Sequence, residues 1–320
     1  MLATLRRGCR TYRRSIGWQG GSGEYDVEWN PHNGFGFQAN PSPYDGRWII
    51  WFGNDDPVGA RMLNIVCEVN PPDDGINRRC AGLFVSDTAS AVYLTHSGKI
   101  GGGRKGIGKS AFLSHYRGAR ETVAWPDGNE TEVIVIGRVD GDRLVAQVAN
   151  FIHEVQRFKT AAAGGGESPK SAEQQSAPPA EPQFNQEFSG QRRGYRVPSE
   201  IESRCDHGLI INALANALQA VGLAVANDQN RDLYVPSRNG RVQTLFEAKA
   251  DITTSTIYQA IGQLLYHSAT QTPSPTLVMV LPGTPDATTK RVLERLQIKV
   301  LTFDWQDQQP AFRNLSEVVG

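Results

Sequence analysis

The sequence predicts an α/β domain at its C-terminal end, built on a mixed sheet of order αβββαβ. A flexible linker joins it to an N-terminal β-rich α+β domain. Three observations carry this. The stretch TAAAGGGESPKSAEQQSAPPAEPQFNQEFSGQ, from Thr160 to about Gln191, is rich in Ala, Gly, Ser, Pro and Gln and almost free of large aliphatic residues. Such a segment buries too little surface to offset its ordering entropy and reads as a linker. Before it, short β-type runs follow one another closely; after it, apolar runs of strand and helix length alternate. With 320 residues, there is chain enough for two ordinary cores. The expected boundaries are a disordered basic tail at 1–23, a β-rich domain at 24–159, a linker at 160–194 and the α/β domain at 195–320.

In the first domain the strand candidates are RWIIWFG, MLNIVCEV, AGLFVS, AVYLTHS and ETVAWPDGNETEVIVIGRV, whose Asp127-Gly128 is a hairpin-type turn. One helix closes the domain, DRLVAQVANFIHEVQRFK, where Leu144, Val145, Val148, Ile152, Val155 and Phe158 recur at helical spacing. The second domain opens with PSEIESRCDHGLIINALANALQAVG. Pro198 and Ser199 suit a first helical turn, Glu200 and Glu202 complement its dipole, and Gly222 suits its end. A short strand near Leu223–Ala226 comes next, followed by two strands around RDLYVPSRNGRVQTLFEAKAD. A helix at about Thr254–Thr270, the strand TLVMVLPG, the helix DATTKRVLERLQ and the strand IKVLTFDW complete the order.

The pair of strands carries the chemistry. Asn239-Gly240 is a strong two-residue hairpin signal, because a type I′ turn needs positive φ at both central positions. Pairing Arg238 with Arg241 and stepping along the ladder sets Asp232 opposite Glu247, with Cβ atoms about 5 Å apart. Lys249 lies one pleat further along the same face. Directly opposed carboxylates repel, and a divalent cation between them reverses that sign. Pro236 cannot donate to a ladder, so an edge strand, a bulge or a longer loop is expected beside it. A one-residue slip would send the two acids to opposite faces. The plainer alternative is a surface hairpin with ordinary charges.

An acid on one strand, then Glu-x-Lys on the next, then a helix, resembles the PD-(D/E)XK, or restriction-endonuclease-like, nuclease superfamily. The resemblance covers the C-terminal domain only. It implies a metal-dependent nuclease that hydrolyses phosphodiester bonds, with Asp232, Glu247 and the backbone carbonyl of Ala248 holding Mg²⁺, for which Mn²⁺ can substitute. Lys249 would position the attacking water and steady charge on the phosphate. Arg231, not proline, precedes the acid. On the following helix, STIYQAIGQLLYHSA, Gln259, Gln263 and Tyr266 share a face. In the family such residues orient the lysine or touch the nucleic-acid backbone; Gln263 is the candidate for the catalytic set, Gln259 and Tyr266 for the nucleic acid. A solvated polar face is the alternative. Some members add a Glu or His from the first helix as a metal ligand, which nominates Glu200, Glu202 and His207, with His207 favoured by its place beside the apolar run. Dipole complementarity and a structural histidine are the bland readings.

GRKGIGKS, Gly103 to Ser110, fits the phosphate-cradling P-loop pattern. Its surroundings do not: the preceding strand stops early, and AFLSHYRG is a short helix at best. A glycine-rich basic loop gripping phosphates through Lys99, Arg104, Lys105 and Lys109 is the better functional reading, against a mobile solvated loop. Trp48, Trp51 and Trp125 have the surface to stack bases but sit in strand-like runs where aromatics are usually core.

Lys+Arg 33 balance Asp+Glu 33, so bulk charge names no partner. Cys9, Cys67, Cys80 and Cys205 show neither zinc spacing nor a disulfide framework, and a cytoplasmic location is the default. No run reaches the roughly 18 apolar residues of a membrane span. MLATLRRGCRTYRRSIG superficially resembles a transit peptide; a basic tail is the simpler account. The expected partner is nucleic acid, DNA ahead of RNA, with a homodimer allowed. By family analogy the setting is restriction, phage defence or repair. The alternatives are a catalytically inactive nuclease-fold protein that binds nucleic acid or acts as a scaffold, and a P-loop nucleotide-dependent regulator.

Overall fold

The structure, a computed structural model, describes residues 1–18, 20–42, 45–101, 107–164, 198–228 and 230–319. Arg104, Lys105 and the expected linker beyond residue 164 lie outside the described residues. The chain divides into two compact units, Met1–Ser171 and Ala172–Gly320. Among the described residues, no helix is long and apolar enough to cross a membrane.

In the first unit α1 (Leu2–Leu5) leads into β1 (Arg10–Trp18), β2 (Gly21–Asn30), β3 (Phe35–Pro41), β4 (Trp48–Gly53), β5 (Met62–Asn64) and β6 (Cys67–Glu68). These strands form one sheet in the order β5-β1-β2-β3-β4-β6. The expected disordered tail at 1–23 is therefore corrected: it supplies α1, β1 and the start of β2. The physical reason is cross-strand compensation. Leu5 and Ile16 are fully buried. Arg13 pairs with Asp26 on β2 at 3.3 Å, and Arg6 approaches Glu28 at 3.6 Å.

β7 (Gly82–Ser86), β8 (Val92–His96), α2 (Lys109–His115), β9 (Arg120–Ala124) and β10 (Glu130–Arg138) follow, and the four strands pair antiparallel in the order β7-β8-β10-β9. The Asp127-Gly128 turn closes β9 on β10, with Gly128 at φ +81°. α3 (Leu144–Gly164) buries the whole predicted stripe from Leu144 to Phe158. It runs past Lys159 into residues assigned to the linker, because the alanines there are strong helix formers. A P-loop needs a parallel strand entering the loop and a long helix leaving it. Here the sheet is antiparallel and α2 has 7 residues. Trp51 and Trp125 are core residues with their indole N–H groups on Gln38 and Thr131. Trp48 is half-buried and donates to Asp73.

The second unit runs α4 (Pro198–Ala220), β11 (Leu233–Pro236), β12 (Val242–Ala248), α5 (Thr254–Ala269), β13 (Thr276–Leu281), α6 (Ala287–Arg295), β14 (Ile298–Gln306), β15 (Gln309–Arg313) and α7 (Leu315–Val319). The sheet order is β11-β12-β13-β14-β15, with β12, β13 and β14 parallel and both edge strands antiparallel. Gly222 ends α4 as predicted. At φ +83° it donates to the Gln219 carbonyl while Leu223 donates to Leu218, the paired bonds of a Schellman cap.

Two expectations fail at the sheet edges. The strand expected at Leu223–Ala226 is reduced to one bridge, Ala226 to Tyr234. β15 was not expected, since its turn, Asp307-Gln308, takes positive φ at both positions (45° and 69°) without glycine or asparagine. Strand alternation sends Leu233, Val235, Phe246, Ala248, Val278 and Val280 into one cluster with α4. Tyr234, Leu245, Leu277 and Met279 go to the opposite side, into a cluster with α5 and α6.

Candidate active site

The hairpin between β11 and β12 reaches the predicted register by an unpredicted route. Arg238-Asn239-Gly240 forms a three-residue loop rather than a two-residue turn. Ser237 and Arg241 pair across it, the Ser237 N–H donating to the Arg241 carbonyl at 2.7 Å, and Gly240 takes φ +76°. That shifts the ladder by one residue, so Pro236 faces Val242. A bulge at Gln243, expected beside the proline, shifts it back: Val235 faces Thr244, Tyr234 faces Leu245 and Leu233 faces Phe246. Continued by one step, this register brings Asp232 opposite Glu247, on the α5 side of the sheet.

Both acids are buried, Asp232 8 % and Glu247 2 % exposed. The Ala248 N–H donates to Asp232 Oδ2 at 2.8 Å. N–H and C=O of a strand residue point to the same side, so the Ala248 carbonyl is directed to this edge, beyond the end of β11. Lys249 Nζ donates to Glu247 Oε1 at 2.7 Å and to Gln263 Oε1 at 2.8 Å. α5 thus fixes the ammonium group through Gln263, one turn after the buried Ala260 and beside the buried Leu264. From α4, His207 Nε2 comes within 3.5 Å of Asp232 Oδ1. Glu202, half-buried, lies five residues earlier, about 140° around the helix. His207 is therefore the α4 side chain turned towards the acid.

The two carboxylates are driven apart in acidity. Burial pushes Asp232 up, but His207, Lys249 and the Ala248 N–H outweigh it and hold the acid down at about 2. Glu247 is pushed up to about 8 by burial and by the negative Asp232 beside it, which Lys249 and His207 only partly offset. Of the two, Glu247 is the one pushed towards its protonated form, and its Oε1 accepts from Lys249.

Among the described residues, no three His, Cys, Asp or Glu side chains close into a metal cage. The donors that converge are two carboxylates and one carbonyl. That set suits a hard cation such as Mg²⁺, which keeps waters and leaves room for phosphate, better than a four-ligand zinc site. The fit rests on the acid beside the acid: the repulsion that Asp232 exerts on Glu247 is what a cation would relieve.

Gln259 and Tyr266 do not join this cluster. They lie exposed on the adjacent strip of α5, Tyr266 at 72 %, with its ring edge-on to His267. Lys99 is exposed and Lys109 half-buried on the first unit. The sequence reading gave no weight to Asp228, four residues before Asp232, although its spacing to Arg231 is that of an Asx-type loop clamp. No protein-family model, no curated protein and no solved structure matches the chain.

Proposed function

We propose that the second unit is a metal-dependent nuclease of the PD-(D/E)XK type, hydrolysing phosphodiester bonds, DNA ahead of RNA. One observation carries the reading: Lys249 is held between Glu247 and Gln263 on the face of the sheet that carries Asp232. Asp232, Glu247 and the Ala248 carbonyl would hold Mg²⁺ or Mn²⁺. The ion supplies an acidified water and offsets charge on the phosphate. Lys249 would offer an N–H to the attacking water or to a phosphate oxygen. Gln263 keeps the ammonium aimed, and His207 keeps Asp232 ionised. Gln259 and Tyr266 offer the exposed strip of α5 to the strand. The first unit would select the target, with Lys99, Lys109 and the basic loop between them on phosphates.

The test is direct. Pure protein is incubated with plasmid, single-stranded DNA and RNA in Mg²⁺, Mn²⁺ or EDTA. Cutting that needs the cation and disappears in Lys249→Ala supports the reading. Binding without cutting under every cation would leave an inactive member of the fold. An ATP-dependent activity lost in Lys109→Ala would favour the P-loop.

A further inference from the structure

We infer that Arg231 is a phosphate clamp beside the candidate active site, gripping the backbone phosphate of the substrate strand next to the one attacked. This rests on the nuclease reading above. Arg231 immediately precedes Asp232, at the start of the hairpin. It is held on two sides. Asp228 accepts from the Arg231 backbone N–H at 3.1 Å and from its Nε at 2.7 Å, with Nη2 on the same carboxylate, and the Asn230 N–H adds a further bond at 2.9 Å. The guanidinium carbon stands 4.4 Å from the centre of the Tyr234 ring.

Tyr234 fixes which side the guanidinium occupies. Its ring packs with Leu245, Ile257, Ala260 and Leu264, in the cluster between the sheet and α5. The stacked guanidinium is therefore on the face that carries Asp232, Glu247 and Lys249. His267 of α5 lies across from it: burial depresses that imidazole first, and the charge of Arg231 depresses it further. Asp228 and Asp232 are the opposing charges on the same imidazole.

The chemistry follows from the donor count. A guanidinium has five N–H donors in a rigid plane. The Asp228 side chain engages Nε and Nη2, one donor on each. Three remain, on a side chain 21 % exposed. A lysine would answer for charge alone. A planar fork with its orientation set by a stacked ring and a carboxylate is what bidentate recognition of phosphate oxygens requires. In the proposed reaction the anions arriving at this face are backbone phosphates. Asp228 is then a positioning residue.

The experiment uses the full chain in a Lys249→Ala background, so that the strand is not cut. A labelled DNA oligonucleotide is titrated by fluorescence anisotropy at several salt concentrations. Arg231→Ala is expected to weaken binding about tenfold and to reduce the slope of log K against log[salt] by about one, the signature of one lost phosphate contact. Arg231→Lys is expected to keep the slope and lose a few-fold in affinity. Arg231→Gln, which keeps its stem over Tyr234, reports the same slope change if Arg231→Ala does not fold. Parental affinity and slope in the soluble Arg231 variants overturn the clamp and leave the nuclease reading standing. A parent that binds neither DNA nor RNA takes down both.

Discussion

Two buried glutamates, one in each unit, show how differently a fold can treat the same group. Glu154, on α3, is 3 % exposed, and burial raises its pKa. The charges that act on it are cationic: Arg157 one turn on, hydrogen-bonded to Oε1, and Arg117; His115, 3.9 Å from Oε2, is pushed towards its neutral form by burial and by the same two arginines. Glu247 is as deeply buried, but its nearest charged neighbours include another carboxylate. Glu154 is answered by its own domain and reads as a structural ion pair. Glu247 is answered only in part, by the Lys249 ammonium group and the weaker charge of His207. Leaving repulsion in a core has a cost, and it makes sense where a cation arrives from outside.

The largest expected break in that comparison is catalytic. Lys249→Ala should lower the rate by at least 100-fold, on the scale of a lost positioned acid-base or charge-stabilising group, with little change in melting temperature. Glu154→Gln should do the reverse. It should leave the specific activity unchanged and destabilise the first unit by about 1–2 kcal/mol, a figure discounted because Arg157 remains 38 % exposed. Nuclease assays and thermal melts on the two variants separate the roles.

The next effect is on pH and metal. Glu247 titrates at about 8 in the folded chain, against an ordinary 4.5. Between those values the folded state holds a proton that the unfolded chain has released. Stability therefore falls as pH rises through this window, and the loss is complete above about pH 8. Asp232, held near 2, contributes the opposite dependence only in acid, where its stabilisation disappears as pH falls below about 4. In EDTA the melting temperature of the second unit should drop from pH 6 to pH 8.5. Added Mg²⁺ or Mn²⁺ should raise it more at the higher pH, since binding must displace the proton on Glu247. Glu247→Gln should flatten the pH dependence, abolish the cation effect and stabilise the metal-free protein at pH 8.5, all at the expense of activity. A cation effect that survives Glu247→Gln would place the metal elsewhere.

How much of this was legible in the sequence depended on whether local signals and tertiary context agreed. The stripe of α3, the Gly222 cap and the positions of β12, α5, β13 and α6 were readable because periodicity and capping chemistry pointed one way. The basic N-terminus misled because composition suggests disorder, whereas the acids that neutralise Arg6 and Arg13 lie on the next strand and become neighbours only through pairing. β15 was invisible because its turn residues, Asp307 and Gln308, adopt positive φ without the usual sequence marker. At the candidate site, the count from a two-residue Asn239-Gly240 turn set Asp232 against Glu247 only because the three-residue loop and the bulge at Gln243 offset each other. The contact from His207 and the Gln263 hold on Lys249 could be placed only on helical faces. The Arg231–Asp228–Tyr234 assembly went unread, since a stack and a loop clamp leave no periodic trace.

The hairpin offers the smallest and sharpest of these tests. Its turn and its bulge each depart by one residue from a plain two-residue hairpin, in opposite senses, and the facing of the two acids survives because the departures cancel. The ladder from Val235–Thr244 to Leu233–Phe246 is set by burial: Leu233, Val235 and Phe246 must face α4, and a slip of one would expose them while burying polar groups. The turn follows that register and does not dictate it. Gly240→Ala forces a Cβ into φ +76° and should cost about 1 kcal/mol of stability, seen as a small fall in the melting temperature. It should leave the rate and the pH dependence of cation binding unchanged. If this distant glycine instead alters the apparent acidity of Glu247, the loop sets the register, and the core would no longer be what aligns the acids.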